Sequence, residues 1–141
     1  MKRHAAAAFA VLSLAVPALA QDRTPSPEGA TVYIVEPKAG STVGSPVTVR
    51  FGLSGMGVAP AGVEWENTGH HHLIIDVSQE GFDFAAPILS DGQHRHFGGG
   101  QTEVTLDLEQ GEHTMWLLLG DAFHVPHDPP VMSEPVTFTV E

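Results

Sequence analysis

Three histidines stand side by side at positions 70–72, where an apolar, β-branched run begins. Leucine, isoleucine and valine in quick succession after an Asn-Thr-Gly turn signal predict a strand. Successive side chains of a strand point to opposite faces, so His70 and His72 would share one face and could reach one metal ion. That face would also carry Ile74 and Asp76. The opposite face would carry His71, Leu73, Ile75 and Val77. The alternative is structural, with His71 a satisfied core histidine and its two neighbours a solvated strand end.

Two further stretches carry histidines that can join such a site. His94 and His96 form a second His-x-His pair, and the loop 120–130 contains Asp121, His124 and His127. Imidazole suits copper and zinc, and the absence of cysteine excludes thiolate ligands. Carboxylates such as Asp76 or Asp121 could orient a ring by accepting its second N–H. We therefore predict a copper or zinc site. Its predicted ligands are His70, His72, His94, His96 and His124, with His127 and Asp121 as further candidates.

The elements that must position these side chains are short strands. Alternating or continuously apolar runs predict strands at 30–35, 47–53, 70–77, 101–108, 112–119 and 135–140, separated by turn signals. No segment shows a sustained helical period. This pattern predicts an all-β fold, an immunoglobulin-like antiparallel β-sandwich. Loops of a sandwich gather at its two ends, where the three histidine-bearing stretches could meet.

The N-terminus has the organisation of an export signal. A basic start, an apolar run and a small-x-small motif at Ala18-Leu19-Ala20 predict a signal peptide at 1–20, cleaved near Ala20. A flexible leader is predicted at 21–29 and a single domain at 30–141. We accordingly expect a periplasmic or secreted protein. No later run is long enough to span a membrane as a helix.

Charge and motifs exclude several function classes. Removal of Lys2 and Arg3 with the signal peptide takes the formal charge from −11 to −13, which disfavours nucleic acid and attracts cations. No nucleophile elbow, cysteine nucleophile or phosphate loop is present. The sequence therefore favours a binding protein over an enzyme.

Three motifs give the chain a specific resemblance. They are Gly69-His70-His71-His72, the stretch from His94 to Glu103, and the stretch Gly120-Asp121-Ala122-Phe123-His124-Val125-Pro126-His127-Asp128-Pro129-Pro130. In these motifs the chain resembles a family of small secreted bacterial domains of unknown function. The resemblance implies that the three stretches form one shared feature. A weaker, fold-level resemblance to periplasmic copper carriers rests on Pro37, Gly40-Ser41 and Ser45-Pro46-Val47.

The sequence thus predicts a periplasmic copper- or zinc-binding protein for metal buffering or delivery. Its partners would be the metal ion and another periplasmic protein. Because protons compete for imidazole, metal affinity is expected to fall below about pH 6. Two alternatives stay open: an immunoglobulin-like interaction module without metal, and a copper enzyme of the dismutase type.

Overall fold

The computed structural model describes residues 22–141, so the predicted signal peptide at 1–20 lies outside the described residues. Within this range the chain forms nine strands and no helix. In chain order they are β1 (Thr31–Glu36), β2 (Thr42–Val43), β3 (Val47–Ser54), β4 (Gly57–Val58), β5 (Thr68–Ile75), β6 (His94–His96), β7 (Glu103–Leu106), β8 (Gly111–Gly120) and β9 (Val136–Val140).

The strands form two sheets. In the smaller sheet β3 lies between β1 and β7, and both pairings are antiparallel. In the larger sheet β2, β9, β8 and β5 are neighbours in that order, and β4 and β6 both pair with β5. The long strands β5, β8 and β9 pair antiparallel, whereas the two-residue strands β2 and β4 run parallel to their partners. The prediction of an all-β sandwich is confirmed; its immunoglobulin-like topology stays a prediction.

The main core lies between the two sheets and follows from the period-two alternation of the strands. From the smaller sheet Val49 and Phe51 on β3 point inward, while Arg50 between them is exposed. From the larger sheet Leu73 on β5 and Leu117 on β8 are fully buried in the same cluster. One face of each central strand is thereby fixed against the other sheet.

The outer face of the larger sheet is also covered. Ile74, Trp116 and Leu118 form a second buried cluster with Ile88, against which Phe82 and Phe84 pack. The Trp116 indole N–H donates a 2.8 Å hydrogen bond to the carbonyl of Val77. The segment 76–93 thus covers this face, so β5 is buried on both sides. This explains why β5 is continuously apolar after its histidines instead of alternating with polar residues.

The structure differs from the sequence prediction at the end of β5. Asp76 has a positive φ of 57°, and β5 ends at Ile75, two residues before the predicted end at Val77. Val77 consequently packs with Ile74 on the outer face, not with Leu73 on the inner face as predicted. The short strands β2 and β4 lie between the predicted strands, where the sequence predicts no strand.

The segment before β1 is attached to the rest of the domain. Arg23 donates to the carbonyls of Pro126 and His127, and backbone hydrogen bonds join 24–26 to Asp128. The predicted flexible leader therefore lies against the loop that follows β8. Among residues 22–141, no helix is long and apolar enough to cross a membrane.

Candidate metal centre

Strands β5 and β6 bring three of the predicted histidines onto the outer face of the larger sheet. His70 and His72 lie two residues apart on β5 and therefore share a face. β6 pairs antiparallel with β5 in a register that places His96 directly opposite His72. The loop after β8 supplies the fourth ring, His124. In the described chain these are the residues whose ligand atoms meet, and we call His70, His72, His96 and His124 the histidine cluster.

The ring nitrogens of the histidine cluster converge. Nε2 of His70 lies 3.0 Å from Nε2 of His72 and 3.1 Å from Nδ1 of His124. The His96 ring centroid is 5.0 Å from the centroids of His70 and His72 and 4.7 Å from that of His124. One ligand atom from each ring can be chosen so that all four lie within 4.8 Å of one another.

Hydrogen bonds between the rings cannot satisfy all of these ring nitrogens. A ring nitrogen carries either one hydrogen or one lone pair, so it forms one well-directed hydrogen bond. Nε2 of His70 nevertheless faces two other ring nitrogens at hydrogen-bond distance. A metal ion accepts a lone pair from every ring at once, which would satisfy all of these nitrogens. The geometry therefore suits a shared cation better than a network of neutral imidazoles.

The distances are close to those of a tetrahedral ion. Zn–N bonds of about 2.0–2.1 Å place two nitrogens of one tetrahedral site about 3.4 Å apart. Two of the observed separations, 3.0 and 3.1 Å, are slightly shorter. The widest separation, at most 4.8 Å, is longer, so ion binding would draw the outer rings inward by about 1 Å. His96 is the exposed member and has the most freedom to move.

Two glycines leave the space that the rings occupy. A Cβ atom at Gly120, which is opposite His70 across the β5–β8 pair, would lie 2.9 Å from Nε2 of His72. A Cβ at Gly98 would lie 2.4 Å from Cε1 and 2.6 Å from Nε2 of His96. Any larger residue at either position would displace a ring of the cluster. The sequence alone did not give these glycines a role in the site, although both lie in the motifs that carry the family resemblance.

Burial keeps the β5 rings neutral. His70 and His72 are 0% and 1% exposed. The pKa of His70 is lowered to about 4 and that of His72 to about 2; burial is the main cause, and repulsion from the neighbouring rings of the cluster adds to both shifts. The pKa of His96 is also lowered, by burial and then by His124. Neutral imidazole is the form that binds metal, so the rings are prepared for ligation near pH 7.

The Nδ1 atoms of the two β5 rings in the cluster form no hydrogen bonds within the described residues. Nδ1 of His70 and Nδ1 of His72 are buried without a hydrogen-bond partner among residues 22–141. Metal-ligating histidines usually donate this second N–H to a carboxylate or carbonyl, which raises their basicity. A ring that binds through Nε2 here would keep an unsatisfied N–H at Nδ1. Each of these rings is therefore a weaker ligand than a carboxylate-supported one.

Asp121 builds the loop that presents His124. Its Oδ1 accepts hydrogen bonds from the backbone N–H groups of Phe123 and Val125, both at 2.9 Å. Its Oδ2 accepts a 2.7 Å bond from the hydroxyl of Thr24. These bonds hold His124 at a positive φ of 67°, a strained conformation for a non-glycine residue. Asp121 also raises the pKa of His70 through its charge, against the stronger effect of burial.

Three other predicted ligands lie outside the histidine cluster. His94 faces Ile74 across the β5–β6 pair, and its Nδ1 is 2.9 Å from Oδ1 of Asp91. His127 is fully buried, with Nε2 at 3.2 Å from the carbonyl of Thr68 and Nδ1 at 3.4 Å from that of Leu119. Asp121 makes the loop contacts described above. The structure gives each of these groups oxygen or backbone partners in place of the converging rings.

Two remaining histidines occupy other environments. His71 points into the main core, where its ring centroid is 5.2 Å from that of Phe51. Neither of its ring nitrogens has a hydrogen-bond partner in the described chain, so it is not the satisfied core histidine of the structural alternative. Burial lowers its pKa to about 4, opposed by the backbone of Gln101, which is near the ring but does not reach hydrogen-bond geometry. His113 lies at the far end of β8.

The comparisons with known proteins add a family and no function. The sequence model of a family described as a domain of unknown function, DUF4399, matches residues 49–141. This range covers well over half of the chain and includes the whole histidine cluster. Comparison with curated proteins and with solved structures finds no significant match. The function must therefore be argued from the site itself.

Proposed function

The chain belongs to the DUF4399 family of domains of unknown function, and we propose that it is an exported protein that binds copper or zinc and buffers or delivers it. The observation that carries this proposal is the convergence of four imidazoles whose ligand atoms lie within 4.8 Å of one another. His70, His72, His96 and His124 would be the ligands. Imidazole nitrogen is a ligand of intermediate softness, so a site made of four imidazoles suits Cu(II) and Zn(II).

Delivery requires that the ion can enter and leave. His70 and His72 form the buried floor of the cluster, whereas His96 is exposed and His124 is half-buried. An ion would therefore meet the two accessible rings first and pass to the buried pair. The unsupported Nδ1 atoms of the β5 rings limit ligand strength, which favours exchange over permanent retention. The acidic character of the chain would draw cations toward the site.

Isothermal titration of the chelator-treated protein with Zn(II) and with Cu(II) tests the proposal. We expect one ion per chain with a Kd near or below about 1 μM. Loss of one of four ligands should weaken binding about tenfold to a hundredfold in His96→Gln, which changes an exposed residue and should leave the fold intact.

The matched control is His113→Gln, which removes an imidazole from the other end of β8. Its metal affinity should equal that of the unmodified protein. Absence of stoichiometric binding in the unmodified protein would contradict the proposal. An equal loss of affinity in both variants would show that metal binding does not depend on the histidine cluster.

A further inference from the structure

A cavity of about 250 Å³ adjoins the loop that carries His124. It is lined by aromatic, acidic and small side chains. Two aromatic rings at its edge are unusually accessible: Trp65 is 76% exposed and Phe123 is 52% exposed. Large apolar side chains that remain exposed in a group beside a cavity commonly mark a binding surface. The principal lining residues are Val63, Glu64, Trp65, Glu66, Asp121 and Phe123.

The cavity is held in shape by the same contacts that build the His124 loop. The backbone N–H of Gly62 donates a 2.9 Å hydrogen bond to the carbonyl of Ala122 and joins the Trp65 loop to the Phe123 loop. The side chain of Asp121, which is 7% exposed, receives three hydrogen bonds from Thr24, Phe123 and Val125. The cavity is therefore a feature of the folded domain and not a gap between independent loops.

The electrostatics of the lining favour a positive occupant. Three acidic residues, Glu64, Glu66 and Asp121, line the cavity together with the two aromatic residues. Neither Glu64 nor Glu66 forms an ion pair within residues 22–141. No lysine, arginine or histidine of the described chain lines the cavity, and Arg23, which precedes the lining residue Thr24, is occupied by the carbonyls of Pro126 and His127 and by Asp128. No described cation of the chain therefore fills the cavity.

Aromatic faces combined with carboxylates recognise organic cations. The electron-rich face of an indole ring attracts an ammonium or guanidinium group, and tryptophan is the strongest of the aromatic residues in this respect. A carboxylate beside the ring adds a charge-assisted hydrogen bond to the same group. We propose that this cavity binds an organic cation, an alkylammonium or guanidinium group, supplied either by a free small molecule or by a lysine or arginine side chain of a partner protein.

The two tryptophans allow a direct test by NMR. The indole N–H of Trp65 reports on the cavity, whereas that of Trp116 is bonded to Val77 in the core and serves as an internal control. Metal-free protein is titrated at constant ionic strength with methylguanidinium, with tetramethylammonium and with the peptide acetyl-Gly-Arg-Gly-amide. Acetyl-Gly-citrulline-Gly-amide is the neutral counterpart. We expect saturable shifts at Trp65 with Kd values of about 1 mM, and none at Trp116.

Two variants separate the contributions of ring and charge. Trp65→Leu, followed at the backbone N–H of Phe123, and Glu64→Gln with Glu66→Gln should each weaken binding by about fivefold or more. Glu28→Gln with Glu134→Gln removes the same formal charge from exposed positions outside the cavity and should change affinity less than about twofold.

Each outcome decides the proposal. Binding of the free cations supports a small-molecule ligand, and binding of the arginine peptide alone supports a partner's side chain. Equal binding of the citrulline peptide, or no saturable shift with any probe, would overturn it. Because the protein is metal-free throughout, the result is independent of whether the histidine cluster binds metal.

Discussion

The two ends of the β5–β8 strand pair hold histidines in opposite chemical surroundings. At one end His70 is paired with Gly120 in the ladder, and its ring meets other imidazoles. At the other end His113 places Nδ1 at 2.8 Å from a carboxylate oxygen of Asp76 and Nε2 at 2.9 Å from the carbonyl of Glu109. Both partners of His113 are acceptors, so the protonated ring satisfies both bonds.

The contrast separates a structural histidine from a candidate ligand. The carbonyl of Glu109 and the carboxylate of Asp76 raise the pKa of His113, while burial among imidazoles lowers the pKa of His70 and His72. A protonated imidazole has no lone pair for a metal ion, whereas a neutral one does. Partner chemistry, and not the number of nearby histidines, therefore makes one end of the strand pair the candidate metal site.

Acid should destabilise the metal-free protein, and this is the largest effect we expect. The pKa values of about 4 for His70 and His71 and about 2 for His72 lie below the ordinary value of 6.5. Between the lowered pKa of each ring and 6.5, the unfolded chain binds more protons than the folded one, so the free energy of unfolding falls as the pH drops below 6.5. Each ring should contribute about 2 kcal/mol of loss between pH 6.5 and pH 5. Urea unfolding at pH 7, 6 and 5 with a chelator measures it.

His71→Leu is the control for this acid effect. It removes one titrating ring from the main core, on the strand face opposite the cluster, and leaves all four candidate ligands in place. The loss of stability between pH 7 and pH 5 should shrink by about 2 kcal/mol. A free energy of unfolding that is the same at pH 7 and pH 5 in the unmodified protein would contradict the expected neutrality of the buried rings.

Metal binding should stabilise the folded protein. A ligand that binds the folded state at a thousandfold excess over its Kd stabilises it by about 4 kcal/mol. We expect zinc or copper to raise the Tm accordingly at pH 7, and the stabilisation in His96→Gln should be smaller by about 1–3 kcal/mol at the same metal concentration, because its Kd is tenfold to a hundredfold higher. The lowered pKa values also place proton competition at His70 and His72 below about pH 5, lower than the pH 6 expected from the sequence. Thermal unfolding at matched metal excess, with and without the variant, tests this link.

The sequence predicts which face of a strand each histidine occupies better than it predicts which residues lie next to that histidine in the fold. Period-two alternation correctly places His70 and His72 on one side of β5 and His71 on the other, because burial on both faces fixes the register of this strand. It cannot distinguish His94 from His96, which share a face of β6. That distinction depends on pairing: His96 lies opposite His72, and His94 lies opposite Ile74 beside Asp91.

Other features depend on contacts that no local pattern encodes. The two-residue strands β2 and β4 form by pairing with β9 and β5, and their own sequences predict no strand. Asp76 was predicted to face the cluster, but its positive φ turns the chain and brings its carboxylate to His113 and Thr114. The need for a glycine at position 120 follows from the pairing of β5 with β8, which brings this position against the ring of His72.

Gly120→Ala should damage the cluster end of the strand pair selectively. The added Cβ would lie 2.9 Å from Nε2 and 3.1 Å from Cδ2 of His72, whose ring is buried and cannot swing away freely. We expect a loss of about 1–3 kcal/mol in the free energy of unfolding. Metal affinity should also fall by about tenfold or more. Gly92→Ala, where a Cβ meets nothing within 4 Å, is the matched control and should leave metal affinity unchanged.

His113→Gln should lower the free energy of unfolding through the other end of the strand pair. The effect should be smaller, and it should decrease with rising pH, whereas the buried rings destabilise the protein as the pH falls. The folded-state pKa of His113 is raised, so its contribution is present below the unfolded value of 6.5 and is lost as the pH rises through the raised value. We expect the substitution to cost about 1 kcal/mol at pH 6 and less at pH 9, since the neutral ring keeps one of its two bonds. Urea unfolding of both proteins at these two pH values measures the difference, and zinc affinity should not change. An equal cost at both pH values would mean that His113 is not held as the charged ring, and the contrast between the two ends would then rest on burial alone.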